Sequence, residues 1–215
     1  MLSVFGRVHG PLLLSMLFAA ISARASCLSS ETWQERVLAV PYAHAEPGPE
    51  PVLHLVRQDY EALQLNKSVL GTPLVISDRR FDHGLGTHSI SCIRVYSPEP
   101  IARFSALVGV DANERTRAGG GSVVFSVMAG RRMVYRSGVL RGTQEAEKVD
   151  VDTGGASVLE LIVTDGGDGP TCDHADWAEA AITTIGGKTM RLDEMTQGVV
   201  PSIASRYPFS FVFVG

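Results

Sequence analysis

Between Thr164 and Glu179 the chain reads TDGGDGPTCDHADWAE, which sets Asp165, Asp168, Asp173 and Asp176 beside a histidine, a tryptophan and a cysteine in a glycine-rich run. Carboxylates this crowded in sequence repel one another unless a cation, backbone N–H donors or a polar ligand stabilises them. Two other segments carry side chains of the same kind. HGLGTHS places His83 and His88 on either side of two glycines, and VGVDANERT opens a loop on Asp111 with Asn113 and Glu114 close behind. Imidazole, carboxylate and carboxamide groups pair with the hydroxyls of a polar ligand, and an indole covers the apolar face of a ring. Asp111, Asp165, Asp168 and Asp176 also offer the oxygen donors that Ca²⁺ takes, although their spacing is not that of an EF-hand loop. Each feature has a plainer reading: an Asx-turn at Asp111, a carbonyl-bonded histidine at His88, a polar turn between strands for the acidic run.

No enzyme template is matched. The chain lacks a G-x-S-x-G elbow, an H-E-x-x-H helix, a G-x-x-x-x-G-K-[ST] phosphate loop and a C-x-x-C pair. Gly119–Gly121 is followed by neither a helical pattern nor a basic residue, so it reads as a flexible approach to a strand. A formal charge of -4 and a pI near 5.9 supply no basic footprint for nucleic acid and no cationic face for a lipid surface.

The elements that must position these residues are strands. LHLVRQDY, PLVIS, SISCIRVYS, RFSALVGVD, GSVVFSVM, RMVYRSGVL, EKVDVD, SVLELIVTD and WAEAAITTI alternate apolar and polar residues or run apolar between turn signals. Phe104, Ala106, Val108 and Val110 fall on one face, as do Leu159, Leu161 and Val163. No stretch keeps a 3.6-residue stripe. Ala129-Gly130, Gly154-Gly155 and Gly186-Gly187 sit where hairpins would turn. The class is all-β: an antiparallel β-sandwich or jelly roll.

Outside this core, Arg7, the apolar run Leu12 to Ile21 and Ala23-Arg24-Ala25 form the pattern of an export signal over residues 1–25, shorter than a membrane span. Residues 26–51, with four prolines in PYAHAEPGPEP, read as a linker; 52–187 as the sandwich; 188–215 as a link into a further domain. Export, to the periplasm or the outside, makes a Cys92–Cys172 disulfide one option for the three cysteines and free thiols the other.

RRFDHGLGTHSIS, RFSALVGVD, GSVVFSVMAG, VDVDTGGASVLELIVTDGGDG and DHADWAEAAI, in that order, resemble the NPCBM domain, a carbohydrate-binding module of secreted bacterial glycosidases with a galactose-binding-like fold. The flanks, LVRQDYEALQLNKSVLGTPL and GGKTMRLDEM, resemble the front of secreted melibiase-type α-galactosidases. The resemblance implies a galactose-containing glycan as ligand, a glycosidase catalytic domain as neighbour, and no chemistry in the module itself. It covers the GTH, VGVD and DHADW positions without saying which of them touch sugar. On side-chain type, the candidates are His83, His88, Asp111, Asn113, Asp173, His174 and Trp177, with Trp177 expected to pack inward. At least one of the four acids of the glycine-rich run is expected to meet Asp111 or His88 across loops. Two alternatives stay open: a domain that only packs on and positions a catalytic barrel, and a catalytic metal site at the acids.

Overall fold

The computed structural model describes residues 50–198. The export signal and nearly all of the linker expected at 26–51 lie outside the described residues, as does everything from residue 199 onward. Within them the chain forms β1 (Val52–Gln58), β2 (Gln64–Leu65), β3 (Leu74–Ile76), β4 (Arg79–Phe81), β5 (Gly84–His88), β6 (Ser91–Val110), β7 (Ser122–Ala129), β8 (Arg132–Arg136), β9 (Leu140–Arg141), β10 (Glu147–Asp165), β11 (His174–Thr184), β12 (Thr189–Arg191) and β13 (Thr196–Gln197), with a 3-10 turn at Leu192–Glu194. No α-helix occurs among the described residues.

One curled, almost wholly antiparallel sheet makes both layers, ordered β2-β5-β11-β6-β10-β7-β8. Strands β6 and β10 are long enough to serve both. The first part of β6 pairs with β1 and with the end of β10, and its last part pairs with β11 and with the start of β10. The corner in β10 falls at Gly154 and Gly155, whose φ values of +67° and +76° suit residues without a Cβ, and there the register with β6 shifts. The sequence expectation of a hairpin at this pair is therefore corrected: both flanking runs keep β6 as neighbour, so the glycines bend one strand. The turns at Gly130 and Gly186-Gly187 do join antiparallel neighbours, β7 to β8 and β11 to β12.

Between the layers lies one core, in which the alternation seen in the sequence becomes burial: Phe104, Ala106, Val108 and Val110 from β6 and Leu159, Leu161 and Val163 from β10 face inward together. Trp177 is fully buried at its centre, with ring centroids 4.9 Å from Phe125 and 6.0 Å from Phe104. Its indole meets both rings edge-on, the arrangement their quadrupoles favour.

The sandwich also runs past residue 187. Strand β12 pairs antiparallel with β11, β13 pairs in parallel with β1, and Leu192 and Met195 join the core. KTMRLDEM is thus an integral edge, not a link. Cys172 carries a free thiol, so the Cys92–Cys172 bridge is absent; Cys92, buried in β6, is disulfide-bonded elsewhere.

Candidate functional site

Four connections meet at one end of the sandwich: β1–β2, β5–β6, β6–β7 and β10–β11. Backbone bonds tie them to one another. The Asp59 N–H donates to the Ile90 carbonyl at 3.1 Å, Ser89 N–H to the Asp173 carbonyl at 3.1 Å, and Asp111 N–H to the His174 carbonyl at 2.9 Å. His88 closes β5 and His174 opens β11, and the two are direct cross-strand partners. Their side chains therefore share a face, and the rings meet edge to face with centroids 5.4 Å apart. The Tyr60 ring, half exposed, lies 5.2 Å from that of His88.

Hydrogen-bond partners fix one proton position on each imidazole. The Asn113 amide nitrogen donates to the Asp111 carboxylate at 2.7 Å, and its oxygen accepts the Arg115 N–H at 3.0 Å, so the carboxamide can face only one way. That same nitrogen lies 2.7 Å from His174 Nδ1, which must then accept, leaving the proton on Nε2. At His88 Nδ1 lies 2.5 Å from the Ser89 carbonyl, which can only accept, so Nδ1 carries a proton, and Nε2 faces the Glu61 carboxylate at 3.8 Å. The Nε2–H of His174 is thus a donor, the Glu61 carboxylate beside it is an acceptor, and a hydroxyl group can pair with both.

Burial pushes the His174 pKa down, and the neighbouring His88 adds to it, which keeps the ring neutral. Glu61 brings a carboxylate within 3.8 Å of His88 Nε2 and within 4.0 Å of the Arg115 guanidinium, placing a charged acceptor and a charged donor on the rim. Behind the histidines, burial raises the pKa of Asp173, while the Ser89 hydroxyl at 2.6 Å and the Ser122 N–H at 2.8 Å stabilise its ionised form. Glu61, His88 and His174 are close enough to share a metal ion. The proton pattern speaks against it: His174 Nδ1 is taken by Asn113, Nε2 has no lone pair to give, and Arg115 already puts a cation beside Glu61.

Of the sequence candidates, His88, Asp111, Asn113, Asp173 and His174 come together here. His83 does not. It lies at the other end of β5, about 16 Å away at the usual rise of a strand, with Nδ1 bonded to Asp193 at 2.9 Å and Nε2 to Arg191 at 3.2 Å. Trp177, offered as a sugar contact, is corrected to a core residue because no part of it reaches the surface. The four acids expected to share Ca²⁺ do not gather into one cluster. Asp168 bonds the Ser122 hydroxyl and, at 3.2 Å, Arg141 on the outside of the β10–β11 loop; Asp165 ends β10; Asp176 is buried within β11, against Asp111. The sequence reading missed Tyr60, Glu61 and Arg115. For Tyr60 and Glu61 the one signal was composition, an aromatic among acids in QDYEA, and Arg115 stood within VGVDANERT, next to the residues that were singled out.

The family model of the NPCBM/NEW2 domain matches residues 53–183. The chain belongs to this family. As an NPCBM domain it is a carbohydrate-binding module of the kind attached to glycoside hydrolases. The α-1,3-galactosidase B of Akkermansia muciniphila is 28% identical over 196 residues, spanning 88% of this chain and 24% of that enzyme. Among solved structures, the CBM51 of a Clostridium perfringens GH95 protein, in complex with methyl-galactose, is 30% identical with a TM-score of 0.52, over 59% of this chain and 91% of that one. The CBM51-2 and INT domains of Clostridium perfringens ZmpB, in complex with GlcNAc, are 26% identical with a TM-score of 0.54, over 59% of this chain and 28% of theirs.

Proposed function

We propose that this NPCBM domain binds a terminal galactose of a glycan at the loop end built around His88 and His174, and carries out no chemistry on it. The observation that supports this reading is the Nε2–H of His174, left uncommitted by the Asn113 bond to Nδ1 and set beside the Glu61 carboxylate, which offers one donor and one acceptor side by side. Tyr60 supplies an aromatic surface for the C–H side of a sugar ring, and Glu61 with Arg115 adds charged hydrogen-bond partners at the rim. The relative solved with methyl-galactose bound supports the choice of sugar. Two surface hollows, beside Lys67 and Arg80 and beside Met190 and Met195, contain none of these residues; recognition at a shallow rim accords with a Kd on the order of 0.1 to 1 mM, about 4 to 5.5 kcal/mol. The protein is exported, on the pattern of residues 1–25, and serves a glycosidase catalytic domain.

Titration of the chain with methyl-galactoside and with GlcNAc, followed by amide NMR shifts, tests the reading: shifts centred on Tyr60, His88, Asn113 and His174 are expected with the galactoside. A flat response to a broad panel of galactosides would favour a second reading, a domain that only positions a catalytic partner. Release of galactose from a chromogenic galactoside, abolished by replacing an acid of this chain, would overturn the absence of catalysis.

A further inference from the structure

Each layer of the sandwich has an outward face, and both are apolar. On the β5-β11-β6 layer that face is covered by β3 and β4, whose Leu74, Ile76 and Phe81 pack on Ala178. On the β1-β6-β10-β7 layer, Ile93, Val127 and Leu161 point into the core, so their neighbours Cys92, Met128 and Ile162 point out. These three pack together and with Val56 of β1, a cluster drawn from one layer only. On a face open to water such side chains would keep much of their area exposed. Here Cys92 is 2% exposed, Met128 5% and Ile162 6%. Nε2 of His54, outward on β1, is closed to solvent, and Glu160 is buried while paired at 2.6 Å with Arg94 directly across from it. The face is covered, yet no strand among the described residues lies over it.

The cysteines say what does. The chain has three, Cys27, Cys92 and Cys172. Cys92 stands directly across from Ile162 on this face and is disulfide-bonded, while Cys172 carries a free thiol. That leaves Cys27. Reach is no obstacle: residues 28–51 can span up to about 80 Å, and the way back along β1 from Val52 to Arg57, the partner of Cys92, is about 17 Å. Ahead of its prolines this stretch also carries Trp33, Val37, Leu38, Val40 and Tyr42, apolar surface of the kind that Val56, Met128 and Ile162 present.

We propose that Cys27 and Cys92 form a disulfide, and that the segment leading on from Cys27 is the cover of the outward face of β1, β6, β10 and β7. The bond forms by thiol–disulfide exchange: a disulfide of the oxidising compartment takes up two electrons and two protons and leaves as two thiols, and the two sulfurs join. This step rests on the export proposed above; the sugar site plays no part in it. With the bond in place the module brings its own cover, and this face is closed to a catalytic domain, which must dock elsewhere.

The full chain, oxidised with glutathione disulfide, is alkylated with iodoacetamide in the absence of reductant and digested with trypsin. The expected product joins the peptide that ends at Arg36 to the one that ends at Arg94, with Cys172 alkylated. A Cys92–Cys172 link, an alkylated Cys92 or a bond between two chains overturns the proposal. Met128 reports the cover. Hydrogen peroxide should oxidise it far more slowly than Met133, which is 43% exposed, and reduction of the bond should bring its rate toward that of Met133. Equal rates in the oxidised chain overturn the cover. Cys27→Ser should lower the melting temperature by roughly 5–15 °C, and an unchanged value counts against a bond that holds the segment down. Should that variant fail to fold, the peptide map and the methionine rates of the wild type decide.

Discussion

His83 and His88 stand at the two ends of one strand, and they differ in what is left over. At His83 both ring nitrogens are used, Nδ1 by Asp193 and Nε2 by Arg191, and the ring is a strut between β5 and the 3-10 turn after β12. At His88 Nδ1 is bonded and Nε2 has only the exposed Glu61 carboxylate at 3.8 Å, and at its partner His174 Nδ1 is bonded and Nε2 is not. The two aromatic candidates divide the same way: Trp177 is wholly buried in the core, edge-on to Phe104 and Phe125, whereas Tyr60 touches His88 and leaves half of itself to solvent. Groups whose capacity is consumed hold the fold, and groups with capacity left are those a ligand can use.

The largest effect should come from the consumed side. Trp177→Ala removes the centre of the core and should cost about 3–5 kcal/mol of stability in denaturant unfolding; a loss under about 1 kcal/mol would mean the indole is not the keystone its burial implies. Next comes His83→Ala, which takes the donor from the buried Asp193 carboxylate. A loss of about 1–3 kcal/mol in stability is expected, with galactoside affinity unchanged because the ring is at the far end of β5. A fall in affinity equal to that of the loop-end variants would erase the distinction between the two histidines.

On the other side, His174→Ala should weaken galactoside binding by about ten- to a hundredfold, roughly 1.4–2.8 kcal/mol. Its pH dependence has a definite sign. Burial depresses the His174 pKa in the native state, so its contribution to stability is whole above the unfolded-state value near 6.5 and is lost as pH falls through the lower, native value. His54, also depressed by burial, acts in the same direction. Melting temperature should therefore fall on acidification below about pH 6.5, and His174→Ala should blunt that fall. Asp173 and Asp176, raised by burial, work in the opposite sense: the native state keeps protons that the unfolded chain gives up above about pH 3.8, so their contribution is present in acid and lost as pH rises. Asp176→Asn should flatten this second limb, and an unaltered profile would count against a neutral acid there.

How much of this could be read from the sequence follows from the same division. Period-two alternation reports what is buried, and it placed Phe104 to Val110, Leu159 to Val163 and Trp177 correctly, because core faces repeat along a strand. Asp111, Asn113, His88 and His174 were recognisable as residues with chemistry, and each sits where a strand meets a loop, which is what brought them together. The acidic run misled because closeness in sequence is not closeness in space: alternation along β11 sends Asp176 under β3, while the glycine turn before it carries Asp168 out to Arg141. Tyr60, Glu61 and Arg115 belong to loops with no repeat of their own, and their place beside His88 depends on long-range pairing of β1, β5 and β6 that no local pattern encodes.

Tyr60 gives the mildest test. Its ring is half exposed and tilted by 52° against His88, so Tyr60→Ala removes little from the core and should leave the melting temperature close to the wild type. What it removes is an aromatic surface over the histidine whose Nε2 faces Glu61 at the rim. If a galactose ring sets its C–H face on that surface while a hydroxyl reaches the imidazoles, the variant should lose about 0.5–1.5 kcal/mol of affinity, roughly a two- to tenfold rise in Kd, and Tyr60→Phe should retain nearly all of it because the phenol hydroxyl is not the contact. Should Tyr60→Ala bind like the wild type while His174→Ala does not, the sugar approaches from the Glu61 and Arg115 side and the aromatic only shelters His88. Should Tyr60→Phe lose as much as Tyr60→Ala, the hydroxyl is the recognising group and Tyr60 belongs with the polar rim.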